Sequence, residues 1–275
     1  METDCVEIII LLLKISLVLL AVYYVLAYWI TPALWKHYEH HPTLESAPKT
    51  TFTKEGIPGD PLNVGLIGGH DDLIHSMVAA GWLPADPITF RTSLHITESA
   101  LLGKPYPTAP VSNLYVFGRI EDFAFEQQVP GNTRERNHVR FWRSDEMGKE
   151  GRPFWIGAAT FDRCVGVSHL TGEITHHISP DLDSERDKLF ADLTAQGQLL
   201  SRYQVTGIGG NLWGRNGCGD PYYSDGEMNV GELTVSGSTN TASVVQLPNP
   251  PAVKAKNRAW KTIRWILKKL RGSAN

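Results

Sequence analysis

The chain has 275 residues, of which 42% are hydrophobic and 20% charged, with a formal net charge of −3 at pH 7. That balance excludes a disordered chain and leaves length for one sizeable globular domain with additional elements. The small net charge hides an asymmetry: residues 43–250 carry 16 Lys/Arg against 25 Asp/Glu, whereas the tail beyond Pro251 holds eight basic residues and no acid; an acidic body argues against a nucleic-acid partner.

The predicted elements begin at residues 6–30, VEIIILLLKISLVLLAVYYVLAYWI, interrupted only by Glu7, Lys14 and Ser16. An apolar run of this length crosses a ~30 Å hydrocarbon core as a helix. The acidic start METDCVE, the length of the run and the aromatic group Tyr23, Tyr24, Tyr28, Trp29 and Trp35 at its end favour a retained anchor over a cleaved signal peptide. Lys14 is accommodated by snorkelling or by pairing with Glu7 two turns earlier. Residues 1–35 are therefore read as a single-pass membrane anchor. No Lys or Arg precedes the run and Lys36 follows it, so the positive-inside bias leans toward a cytoplasmic body.

Residues 36–57 read as a linker, because PTLESAPKTTFTKEGIPGD at 42–60 is rich in Pro, Thr, Ser and Gly and carries no apolar period. The domain proper is expected over 58–247. It opens with a strand, LNVGLIG, then GGHDD starting a helix whose Leu73, Ile74, Met77 and Val78 keep a 3.6 period up to Gly81. GGHDD is neither GxGxxG nor a Walker A motif, and its two acids repel phosphate, so Asp71 or Asp72 reads as a helix cap. A second helix is predicted over 92–102.

Alternation in NLYVFG (113–118) and DFAFE (122–126) predicts one hairpin. HVRFWR (138–143) and FWIGAATF (154–161), flanking SDEMGKEGRP, predict another. The β-like run ITHHI breaks at Ser179-Pro180, and a helix follows over 184–196 with Leu189, Phe190 and Leu193 inward and Asp181 and Asp183 at its start, where the helix dipole favours acids. Residues 206–243, rich in Gly, Asn, Ser and Thr, take two or three short strands at most. Asp220, Asp225 and Glu227 lie in a stretch without EF-hand spacing, which reads as a surface hairpin. The result is an α+β fold, a mostly antiparallel sheet with helices packed on one face. At 248–275 the tail reads as a basic amphipathic helix. It turns Trp260, Ile263, Leu267 and Leu270 toward a lipid surface and keeps Lys261, Arg264, Lys268 and Arg271 on or near the other face.

The succession GDPLNVGLIGG, AGWLPADPIT, PYPTAPVSNLYVFGR, EDFAFEQ, NHVRFWR, WIGAATFD and ITHHISPDLDSERD resembles the LssY-like C-terminal domain family over roughly residues 58–235. In that family the domain often follows multi-pass membrane modules, so the resemblance implies membrane association; the lipid bilayer and multi-pass membrane proteins are the partners considered. It carries no established activity onto these residues.

The chemistry must come from the side chains. On a strand, alternate residues share a face, so His138, Arg140 and Trp142 point one way while His176 points opposite to His177. Imidazole and guanidinium groups gathered on one face can bind and polarise a phosphate, which makes His138, Arg140, His176 and His177 candidate catalytic residues of a membrane-tethered phosphate-ester hydrolase. A divalent metal held by Asp162, His176, His177 and Asp181 is the metal-assisted form of that reading. Against it, the chain has no HExxH, GxSxG or P-loop motif, and Cys164 and Cys218 leave a disulfide open. Leu94-His-Ile-Thr97 and Ser168-His-Leu-Thr171 imitate paired phosphoesterase motifs, yet His95 falls on a predicted helix. The preferred expectation is a membrane-anchored body that binds lipid headgroups or membrane-protein partners. Convergence of His138, Arg140 and one of His176 or His177 in one concavity separates the site-bearing readings from a scattered surface.

Overall fold

A computed structural model describes residues 2–30, 44, 47–85, 113–147, 151–170, 172, 174–206, 209 and 212–272. The chain forms two compact units, residues 1–39 with 250–262 and residues 40–249 with 263–275. In the first, helix α1 (Glu2–Val25) runs into one turn of π-helix at Leu26–Ile30. The stretch Val6–Ile30 is helical, unburied, and long and apolar enough to cross a membrane. Tyr24 and Tyr28, one turn apart, stack with ring centroids 5.1 Å apart. Trp29 is exposed, as an interfacial aromatic would be, and Trp35 lies outside the described residues.

The second unit is the α+β body. Its strands are β1 (Thr50–Phe52), β2 (Pro58–Pro61), β3 (Val64–Ile67), β4 (Leu83–Pro84), β5 (Tyr115–Val116), β6 (Arg119–Ile120), β7 (Phe123–Val129), β8 (Asn132–Met147), β9 (Pro153–Val167), β10 (Ile174–Ile178), β11 (Leu199–Thr206), β12 (Trp213–Arg215), β13 (Pro221–Tyr223), β14 (Glu227–Leu233) and β15 (Val245–Gln246). The main sheet runs β15-β11-β14-β3-β9-β8-β7-β4, with β10 pairing to β9; a smaller sheet runs β2-β1-β5-β6. Main-sheet neighbours are antiparallel except β3 with β14 and β11 with β15.

Strand alternation divides the body into two cores. Val139, Phe141, Trp155 and Ala159 face helices α2 (His70–Ala79) and α3 (Leu182–Ala195), which contribute Leu73, Met77, Leu189, Phe190 and Leu193. On the opposite face Trp142, Ile156, Ala158 and Val230 pack with Leu62, Leu114 and Val116 of the small-sheet side. Gly157 sits where β9 crosses under Phe141; a Cβ there would lie 2.8 Å from that ring and 2.9 Å from the Arg140 carbonyl, so only hydrogen fits.

Asp181 caps α3 as predicted, whereas the N-cap of α2 is Gly69, with Asp72 at the third helical position reaching back to it. The Asp72 carboxylate accepts the Gly69 N–H at 2.7 Å, and Asp181 accepts the Ser184 N–H at 3.2 Å. Two expectations are corrected, and one strand is added. The predicted linker 36–57 contains β1, held by the buried Thr51 hydroxyl donating to the Asp60 carbonyl at 3.0 Å. The predicted pairing of 113–118 with 122–126 does not form. Phe117 (φ 55°) and Gly118 (φ 74°) close a two-residue turn between β5 and β6, while β7 pairs with β8 and buries Phe125. The turn residues, not the strand residues, set that register. Finally, β11 was not anticipated in LLSRYQVT. The helix predicted over 92–102 lies outside the described residues.

The tail forms α4 (Pro251–Gly272). Of its predicted lipid-facing residues, Ile263 and Leu270 are exposed, whereas Trp260 and Leu267 are half-buried. Ile266 joins the exposed stripe. Arg264 and Lys268, predicted on or near the face opposite the apolar stripe, bond to the start of α3.

Candidate functional site

The site is built on the face of the main sheet turned away from α2 and α3. Three antiparallel strands lay polar groups side by side: Glu126 of β7 stands opposite His138 of β8, which stands opposite Thr160 of β9. One step along, Arg136 stands opposite Asp162, and Asp162 stands opposite Ile178 of β10. Arg163 is an extra residue in β9 at this point, a β-bulge that leaves His177 opposite Cys164.

His138 is enclosed. Its Nε2 accepts from Arg140 at 2.8 Å and from the Thr160 hydroxyl at 2.7 Å, and its Nδ1 lies 3.2 Å from Asp162 Oδ1. Guanidinium can only donate, so Nε2 carries the lone pair and the ring proton sits on Nδ1, toward Asp162. Arg136 bridges two carboxylates, donating to Asp162 at 2.9 Å and to Glu126 at 2.7 Å, with His176 Nδ1 3.5 Å away. Arg140 also donates to Asp60 at 3.3 Å, which Asn216 contacts at 3.4 Å. Leaving these groups buried and unpaired would be costly, and the strand register supplies each with a partner.

The electrostatics follow from burial and from these partners. Burial would raise the Asp162 carboxyl, but His138, His176 and Arg136 together hold it well below the usual range. Burial pushes His138 down; the Arg140 and Arg136 cations add to that while Asp162 opposes it. Burial likewise lowers His176, to about 4, with Arg136, His138 and Arg140 reinforcing the effect against Asp162. Near neutral pH both imidazoles are therefore uncharged.

Arg136, His138, Arg140, Asp162 and His176 all line one cavity of about 210 Å³, closed on the other side by Thr53, Asp60, Leu114 and the Asn216–Gly217–Cys218 loop. Of the predicted catalytic residues, His138, Arg140 and His176 thus converge, and His177 does not. It points away and pairs with Asp220 at 2.7 Å, beside His169. The four predicted metal ligands are not brought together. Asp162 and His176 face the cavity, while Asp181 caps α3 and binds Arg264. Cys164 and Cys218 are free thiols.

Sequence reasoning missed Glu126, Arg136, Thr160 and Asp60. For Arg136 the signal was present: two residues before His138, it shares its face if the strand is extended. For Asp60 no local signal exists, since it reaches the site only through the small sheet.

The fold and this buried polar cavity define an α+β domain attached to a helix that fits a membrane anchor. Residues 44–228 match the LssY C-terminus family, and the chain belongs to that family. Comparison with curated proteins and with solved structures gave no match.

Proposed function

We propose that the chain is a membrane-anchored binding module that takes the polar headgroup of a membrane component into the His138–Arg140–His176 cavity. The observation that carries the reading is the convergence of four buried ionisable side chains and the half-buried His176, from three strands, on one concave space. Arg136, Arg140 and Lys54 balance Asp60, Asp162 and Glu55 around the cavity. That balance suits a headgroup carrying both signs, or a polyol phosphate, better than a free dianion. The exposed stripe Ile263, Ile266 and Leu270 on the basic helix α4 supports attachment to a lipid surface, and Lys36 after the anchor supports a body on the cytoplasmic side.

The test is titration of the detergent-solubilised chain with soluble headgroups, glycerol 3-phosphate and phosphoethanolamine among them, against Arg140→Gln and His176→Ala. Saturable binding weakened tenfold or more in both variants supports the reading. Binding indifferent to both overturns it.

A second reading, hydrolysis of a phosphate ester, draws on the Thr160–His138–Asp162 succession, which imitates a hydroxyl–imidazole–carboxylate relay. Two features weigh against it. Thr160 is fully buried and does not line the cavity, and two uncharged imidazoles offer no general acid near pH 7. Turnover of a chromogenic phosphate ester that disappears in His138→Gln would revive it.

A further inference from the structure

We propose a second site, a surface centre for a divalent transition metal of the Zn²⁺ type, formed by His169, His177 and Asp220 on the side of β10 opposite the cavity. One donor atom from each of the three lies within 4.8 Å of the others. His177 Nδ1 stands 2.7 Å and His169 Nε2 3.8 Å from the same oxygen, Asp220 Oδ1, and the two rings are 5.2 Å apart. Tetrahedral Zn²⁺ with bonds of about 2.0–2.2 Å holds its ligands roughly 3.3 Å apart, a spacing bracketed by these two distances.

The surroundings hold the ligands in place. Asp220 commits Oδ2 to the Ile178 N–H at 3.0 Å, which aims Oδ1 at the two imidazoles, an orientation that outer-shell partners typically provide. The loop before it is fixed by the Asn216 side chain accepting the Cys218 and Asp220 N–H groups at 3.0 and 2.9 Å. His177 lies flat over Gly166, where any Cβ would come within 2.5 Å of its ring. His169 packs against Gly219, where φ is +87° and an added Cβ would come 2.9 Å from the His169 Cβ, so no larger residue fits.

His169 is 63% exposed at its side chain, so water or a ligand can complete the coordination. Two imidazoles and one carboxylate with an open position form a borderline donor set, suited to Zn²⁺ rather than to Ca²⁺ or Mg²⁺. In the metal-free protein the contact between His177 Nδ1 and Asp220 is made by one proton. When the metal takes Nδ1 the ring carries its proton on Nε2 instead, and because an imidazolium cannot ligate, protonation competes with the metal and affinity falls as pH is lowered. Because Asn216 and Cys218 also wall the cavity, the metal would clip the 216–220 loop to the turn after β9 and stiffen that wall.

The experiment is calorimetric titration of the chelator-treated, detergent-solubilised full chain with Zn²⁺, alongside His169→Ala, His177→Ala and, as a control, His70→Ala, with Co²⁺ spectra to identify donors. One equivalent bound, weakened at least tenfold in both site variants and unchanged in the control, is the expected result. His169→Ala, at an exposed side chain, should melt with the metal-free wild type, so loss of binding there is not loss of fold. No stoichiometric uptake, uptake that survives either site variant, or a thiolate-to-cobalt charge-transfer band overturns the site.

Discussion

Arg264 sets its Nε 2.9 Å from one oxygen of Asp181 and 3.0 Å from the other, so the residue that caps α3 is also the anchor point of the tail helix. Lys268 reaches the same carboxylate at 2.9 Å, and Arg264 extends to Ser184 at 2.9 Å and Asp187 at 3.0 Å. The two cations, with burial opposing them, hold the Asp181 carboxyl below its ordinary range. Asp181→Ala removes both cap and counter-ion and should cost about 1–3 kcal/mol. Arg264→Ala leaves the cap and should cost less than half of that. Denaturant titration of both variants checks the order, and amide exchange in residues 263–270 should rise in each.

Arg136 is the only described cation bonded to both Glu126 and Asp162, two fully buried carboxylates. Arg136→Ala takes from both the guanidinium they share, and breaking a buried pair typically costs about 3–5 kcal/mol. The penalty comes from ionised carboxylates, so it should shrink as pH falls and they take up protons. Equal destabilisation of the variant at pH 7 and pH 4.5 would contradict this account.

The pH dependence of the wild-type fold has a defined sign at His176. Its folded value of about 4 lies below the ordinary histidine value of 6.5, so between these the unfolded chain binds the proton and the native one does not. Stability should therefore fall as pH drops from 6.5 toward 4, by at most about 3 kcal/mol from this group. Asp162, held low, begins to subtract below its unfolded value. Thermal melting across pH 4–8 should show the first loss flattened in His176→Ala.

Much of this was legible beforehand, and the failures have common causes. The 3.6 period of Leu73, Ile74 and Met77 and the alternation around Phe141 and Ile156 are local signals, and both yielded the right elements. Alternation placed His138 and Arg140 on one face and separated His176 from His177, but whether they meet in one concavity depended on strand pairing that the sequence left open. What was hidden depends on non-local register. Asp60 enters from a second sheet, β7 chooses β8 over its sequence neighbour, and His177 leaves the cavity because one residue in β9 is unpaired. The partner of Arg264 was hidden because nothing in its helix reveals an acid 83 residues away.

Glu185 offers a test on the helical side. Burial pushes its carboxyl well above the ordinary range, Asp162 and Asp192 add to the shift, and Lys188 offsets only part. Its Oε1 has no hydrogen-bond partner among the described residues. The native state keeps the proton that the unfolded chain releases above its lower value, so the wild type loses stability as pH rises toward the folded value. Glu185→Gln should be close to neutral at pH 5 and stabilising by on the order of 1–2 kcal/mol at pH 8. A variant equally destabilised at both pH values would mean the ionised form is the one accommodated.

The bulge at Arg163 makes β9 change sides in mid-strand. Even-numbered residues from Phe154 to Asp162 lie on the sheet face turned away from α2 and α3, with Asp162 reaching the cavity, and beyond the bulge Cys164 and Gly166 share the outward side of His177. One continuous strand thus serves as floor for one compartment and outer wall for another. For protein engineering this is a natural seam. Segments on either side of residue 163 can be redesigned or grafted as if they belonged to different surfaces, while the backbone ladder between them stays whole.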